Sequence, residues 1–207
     1  MKKFLILLVT LCVCVTVASA QTKKEQKAAA KQLRQDVASY VSQGWLVSPG
    51  HLPLSDQLNR SYTVQKELDE DGFQKYVTGD GMSVGTSYDA AKMQALELAK
   101  LDLVQKLQSE IVAMIKNDVA NDQGEQEEAV STAATVLTSK NFIRQKLGRV
   151  ITLVECYRVK PNKNKEVRVV VACNSKVALE AAKAEVKKRL ETHLEELHEQ
   201  LDAKLSE

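Results

Sequence analysis

Six residues, Ala91, Ala95, Ala99, Leu103, Leu107 and Ile111, recur at every fourth position, and Leu96, Val104, Met114 and Ile115 widen the same apolar face. That spacing follows the α-helical repeat, so the stretch must bury one side against another element. The taper constrains the fold further: alanines at the start admit a close neighbour, and leucines further on fill a wider gap. Just upstream, Phe73 to Val84 reads as extended and is broken by Gly79 and Gly81, and glycines inside a strand mark a bulge or a close backbone approach. The expectation is a strand eased past the Ala91–Ala95 end of the helix. Thr86 with Asp89 resembles a capping box with a shorter acid and places the helix start, and the periodicity predicts an end near Lys116.

The rest of the chain arranges itself around this pair. Lys23 to Gln43 reads as a helix with Leu33, Val37, Tyr40 and Val41 on one side and Gly44 as its stop. Trp45-Leu46-Val47 reads as extended, and Ser48 to Pro53, with two prolines and a glycine, as a loop. Ser55 is expected to N-cap a second helix through Leu58, Tyr62 and Leu68, ended by Asp69-Glu70-Asp71-Gly72. An acidic connection from Asp118 to Glu128 leads to a helical stretch through Ala129, Ala133, Val136 and Leu137. Val150 to Val159 and Val167 to Cys173 are β-branched runs joined by Pro161-Asn162-Lys163-Asn164-Lys165, an antiparallel hairpin. Asn174 N-caps a final helix striped by Leu179, Val186, Leu190, Leu194, Leu197, Leu201 and Leu205. Leu190, Leu194, Leu197 and Leu201 span about two heptads of a coiled-coil pattern, interrupted by His193 and Lys204, and are the candidates for self-association.

The fold class is therefore α+β and helix-rich. A small antiparallel sheet, hairpin 149–173 plus a strand near 74–84, packs on the long Ala/Leu helix, with long N- and C-terminal helices. The expected division is a signal segment 1–20, an N-terminal helical segment 21–72, an α+β core 73–176 and a C-terminal amphipathic helix 177–207.

Charge enters through that signal. The chain has 29 Lys+Arg against 27 Asp+Glu, and the surplus is Lys2 and Lys3, which head an apolar run from Phe4 to Val17 ending in Ala18-Ser19-Ala20. A charged start, apolar middle and small-residue exit are the marks of a secretory signal, cut after Ala20. Without it 27 basic groups face 27 acidic ones, so net charge gives no argument for nucleic acid. No second apolar stretch approaches the roughly 18 residues a membrane span needs, so no transmembrane segment is expected after cleavage. Cys12 and Cys14 fall inside the apolar run behind Leu11 and Val13, where lipid attachment calls for a small residue. Cys156 and Cys173 remain, in a compartment that permits a disulfide. With Asn164 and Lys165 at the hairpin tip they face each other, Val154, Val169 and Val171 sharing their face. Two readings stay open: a disulfide closing about 18 residues, or two buried reduced thiols.

No motif specifies catalysis. Gly79 to Gly85 lies between a strand and a helix, but a dinucleotide fingerprint needs its third glycine where Val84 stands. His193 and His198 are five residues apart on a helix and cannot share a metal, and His51 stands in a loop with no carboxylate at ligand spacing. Asp69-Glu70-Asp71-Gly72 lacks the alternating ligands and distal glutamate of a calcium loop. No Gly-x-Ser-x-Gly elbow is present, and both cysteines lie within strands rather than at helix N-termini. No catalytic residue, cofactor or metal is assigned. What remains is charge placement: Arg158, Lys160, Lys163, Lys165 and Arg168 make the hairpin basic, a surface suited to anionic polymers or lipid headgroups, or simply a solvated edge.

Gly79-x-Gly81, the 91–111 ladder, a second helix through Ala133 and Val136, and the paired strands around Val154 and Val170 together resemble a family of small envelope proteins. The family is typified by the twenty-kilodalton membrane-associated lipoprotein, and its domain is similar to one in a flagellar basal-body assembly protein. The resemblance covers Gly79 to Asn174. It implies an α+β domain without known catalysis, in the periplasm or at the outer membrane, engaged in envelope structure or assembly. The chain departs from the lipoprotein pattern in lacking a lipid-attachment cysteine. The functional expectation is an exported, non-enzymatic scaffold or interaction protein with an envelope protein or its own copy as partner, the alternative being a binding module for an anionic envelope polymer or lipid, with peripheral membrane contact, through the basic hairpin 158–168.

Overall fold

The computed structural model describes residues 25–121, 136, 143, 144 and 147–205, and along 114–121 and most of 189–205 it describes backbone alone. In chain order the described residues form α1 (25–42), α2 (Leu54–Lys66), β1 (Tyr76–Gly85), α3 (Tyr88–Asn121), β2 (Ile151–Val159), β3 (Lys165–Asn174) and α4 (Ser175–Leu205). This is an α+β chain with a three-stranded antiparallel sheet in the order β1-β3-β2. The signal segment 1–20, the residues Ala129, Ala133 and Leu137, and the side chains of Leu190, Leu194, Leu197 and Leu201 lie outside the described residues. Among the described residues no helix is long and apolar enough to cross a membrane. The chain divides into two units, Met1–Trp45 and Leu46–Glu207. The segment 46–72, grouped by sequence with the first helix, thus belongs with the core.

In the first unit, α1 closes in a Schellman motif. Gly44 takes φ +78, its amide donates to Val41 O at 3.0 Å, and the Trp45 amide reaches back to Tyr40 O at 3.0 Å. The apolar contact that accompanies this motif is the Tyr40 and Trp45 rings, 6.0 Å apart.

In the second unit, α3 crosses one face of the sheet at backbone distance. A Cβ on Gly79 would stand 2.1 Å from Ala99 O, and one on Gly81 2.1 Å from Ala95 O. The glycines and the small-residue end of the ladder are thus two halves of one contact, centred one turn beyond the Ala91–Ala95 start. Ala91, Ala95, Ala99, Leu103, Leu107 and Ile111 are buried with Val167, Val169, Val171 and Cys173 of β3 and Ala178, Ala182 and Val186 of α4. Val136, from the stretch expected to be helical, is helical and buried in the same core. The other face of β2 and β3 carries Val154, Cys156, Val170 and Ala172, with Leu54 and Leu58 buried on α2, which packs on β2.

Both sheet edges are covered in part by side chains or short pairings. On β2, Leu46 exchanges two backbone hydrogen bonds with Tyr157, and the Glu155 amide donates to Gln57 Oε1 at 2.7 Å. On β1, the Asp80 amide donates to Asp102 Oδ2 at 3.0 Å, and Lys106 donates to Thr78 O at 2.7 Å. The groups so engaged are closed to pairing with another strand.

Several boundaries differ from the sequence reading. Helix α2 starts at Leu54 behind Pro53, whose fixed φ suits a helix start, and Ser55 is not its cap. It ends at Lys66, because Leu68 pairs with Gln74 in a short hairpin. The cap of α3 is Ser87, whose hydroxyl accepts from the Ala90 amide, rather than Thr86. Helix α3 continues to Asn121, since neither glycine nor proline interrupts residues 86–123. Asn174 does cap α4, its Oδ1 accepting from the Val177 amide at 3.0 Å. Asn174→Ala is expected to lower unfolding free energy by about 1 kcal/mol, and Ser55→Ala by almost nothing, in parallel denaturant titrations.

Candidate functional site

The hairpin register overturns the expected cysteine pair. Pro161 takes the second position of a tight turn closed by the Lys163 amide on Lys160 O at 2.9 Å, with Lys163 at φ 65 and the Asn164 amide on Asn162 Oδ1. Proline favours that position, so the tip sits at Pro161-Asn162 and not at Asn164-Lys165. Cys156 consequently pairs with Arg168, and Cys173 with Val77 of β1. The same register pairs Val154 with Val170, so Val154 does not share the face of Val169 and Val171. Cys173 faces α3 and Cys156 the opposite face; both thiols are free and buried. Burial pushes Cys156 up to about 12 and Cys173 up to about 11, so neither is a thiolate at neutral pH. Thiol reagents are expected to modify neither cysteine in the native protein and both in denaturant, with mass spectrometry as the readout.

The basic hairpin is partly neutralised within the sheet. Arg158 is hydrogen-bonded to Glu166, and Lys160 lies 3.4 Å from the same carboxylate. Burial works to raise the Glu166 carboxyl, and these two cations outweigh it and hold it below the ordinary range. Arg168 forks onto Asp80 of β1, Nε reaching both oxygens at 3.1 Å. Lys163 is exposed at the tip and Lys165 half-exposed at the start of β3. Of the five basic residues, three hold carboxylates of the sheet and two face outward.

At the other end of the sheet, Tyr76 pairs with Asn174, and the short hairpin 67–75 leads into β1. Its turn is drawn in by Asp69, whose Oδ1 accepts from the amides of Asp71 at 3.0 Å and Phe73 at 2.9 Å, with Gly72 at φ +83. The Asp69–Gly72 cluster is therefore a hairpin turn rather than a helix end. Beside it lies a groove of about 460 Å³, walled by Leu68, Asp69, Glu70 and Asp71 on one side and by Val177 and Glu180 of α4 on the other. Leu68 and Val177 line it and expose 57% and 54% of their surface, and Phe73, 72% exposed, lies in the adjoining turn.

A third feature has no signature along the chain. Glu155 is buried, and its Oε1 collects the Tyr88 hydroxyl, Lys92 Nζ at 2.8 Å and His51 Nε2 at 3.2 Å. Burial acts to raise this carboxyl, and Lys92, Tyr88 and His51 overcome it, so the group is held below its ordinary value. Burial and the bond to Glu155 push Tyr88 up to about 12, which keeps its hydroxyl a donor. The cluster ties the loop around His51 to α3 and β2, so His51 is not the solitary loop histidine its sequence context suggests. Among the described residues no group of histidine, cysteine and carboxylate side chains is arranged to hold a metal ion. No family model, no curated protein and no solved structure matches the chain.

Proposed function

We propose that this chain is an exported, non-enzymatic cell-envelope protein whose α+β unit is a rigid body for contacts with other proteins or with its own copies, the C-terminal helix through Leu190, Leu194, Leu197 and Leu201 contributing to them. The observation that carries the reading is the exposure of Leu68 and Val177 in one groove, with Phe73 exposed in the adjoining turn. Grouped apolar side chains at the surface favour a protein contact, whereas isolated ones do not. The protonated thiols and the ion-paired Glu155 and Glu166 support a structural role for the groups that would otherwise be candidates for chemistry.

The test is a photo-crosslinking residue placed at Phe73 in the full chain, in intact cells. The expected result is a discrete adduct with an envelope protein or a second copy, with none from the same probe at Met93, on the outer face of α3. No adduct at Phe73, or equal smearing at both positions, contradicts the reading. A second reading, docking of the hairpin 158–168 on an anionic polymer or lipid, is favoured by exposed Lys163 at the tip and weakened by the engagement of Arg158, Lys160 and Arg168. Its measure is co-sedimentation with phosphatidylglycerol vesicles, which Lys163→Glu with Lys165→Glu is expected to reduce severalfold if that reading holds.

A further inference from the structure

We infer that the hairpin tip of one copy docks in the groove between the 67–75 hairpin and α4 of a second copy, so that copies associate head to tail. This deepens the interaction reading and rests on it. The two surfaces are opposite in charge and similar in count. Around the tip, Arg158, Lys160, Lys163 and Lys165 stand against one carboxylate, Glu166. In the groove, Asp69, Glu70, Asp71 and Glu180 stand against Lys176, the remaining lysine there, Lys75, being held by Glu67.

Their placement decides the occupant. Lys165 pairs with Gly85 at one end of β3, and Asn174 pairs with Tyr76 at the other. Ten residues of strand at about 3.3 Å each separate the ends by roughly 30 Å. A rigid sheet cannot fold its own tip into its own groove, so the complementary surfaces meet only between molecules. Apolar contact is present on both sides: half-exposed Val159 at the base of the tip faces a groove bordered by Leu68 and Val177. Because tip and groove are different patches, each copy keeps one of each free after docking. The contact is heterologous, and repeats of it build a ring or a filament rather than a closed dimer.

The test is a charge swap read by light scattering in low salt, on the chain as recovered from expressing cells. One variant carries Lys163→Glu with Lys165→Glu, the other Glu70→Lys with Glu180→Lys. Each alone brings like charges together and is expected to weaken association on the order of tenfold or more. An equimolar mixture restores both contacts, reversed tip on reversed groove and native tip on native groove, and is expected to regain the wild-type mass. That recovery also shows that both variants fold. A wild-type chain that stays a single molecule at every concentration overturns the proposal, as does association unchanged in either variant or lost without recovery on mixing. Adducts from Phe73 to a different protein, beside a wild-type chain that remains single, would leave the interaction reading standing and remove this one.

Discussion

Gly81→Ala is expected to destabilise the protein by about 3 kcal/mol or more, and Gly79→Ala by a similar amount, measured by urea unfolding of each variant beside wild type. Strand propensity alone points the other way, since alanine in a strand is favoured over glycine by about 0.5–1 kcal/mol. The sign is reversed by what the added methyl meets. At Gly81 it would sit 2.1 Å from Ala95 O and 2.4 Å from Ala99 N, and at Gly79 2.1 Å from Ala99 O and 2.9 Å from Leu103 Cγ. Most of these are helix backbone atoms and cannot rotate aside, so α3 must lift off the sheet and open the core behind it. Overpacking typically costs 1–3 kcal/mol where side chains can yield, so rigid neighbours set the upper part of that range or beyond. Two comparisons sharpen the claim. Ala99→Gly should fail to rescue Gly81→Ala, because the clash is with backbone. Gly85→Ala, whose nearest contact is 3.0 Å, should cost about 1 kcal/mol. A neutral or stabilised Gly81→Ala would remove the close-approach account of the fold.

The second large effect belongs to Glu155. Glu155→Ala is expected to cost about 1–3 kcal/mol, because it leaves Lys92 and the Tyr88 hydroxyl without their acceptor and frees the His51 loop. Glu155→Gln keeps the shape and an acceptor and should lose less. The pH dependence separates charge from packing. A carboxyl held below its ordinary value contributes stability that is complete above the unfolded value of 4.5 and is lost as pH falls through the lower folded value. The stability gap between wild type and Glu155→Gln is therefore expected to be largest near neutral pH and to narrow as the solution is acidified below about 4.5. A gap that stays constant from neutral to acid pH would show that the carboxylate charge is not what binds the cluster.

What was legible in the sequence follows a physical division. The pairing of Gly79-x-Gly81 with the Ala91–Ile111 ladder was readable because both halves are local patterns with one shared cause, a close strand–helix approach. The paired strands were readable from β-branched runs, and the α4 cap from the single residue Asn174. Register was not, because it depended on which residues of Pro161 to Lys165 form the turn. Placing the turn too far along moved the partner of Cys156 by five residues, from Arg168 to Cys173. The stronger signal was Pro161 itself, which suits the second position of a tight turn. The Glu155 cluster was illegible for a different reason. His51, Tyr88, Lys92 and Glu155 come from a loop, two turns of α3 and a strand, and no spacing along the chain records that packing brings them to one oxygen. The same holds for the charge balance of the hairpin, where Glu166 and Asp80 neutralise cations that a residue count leaves unopposed.

The proposed contact surfaces lie at the two ends of the sheet, and its middle holds β1, β3 and α3 together. Sedimentation velocity tests that arrangement most directly, on the chain recovered from expressing cells over a concentration series, first in low salt and then in high salt. The weight-average mass is expected to climb with concentration in low salt and to fall back to that of a single chain when salt shortens the reach of the charges to a few ångströms. A single-chain mass at every concentration, or an assembly indifferent to salt, contradicts it.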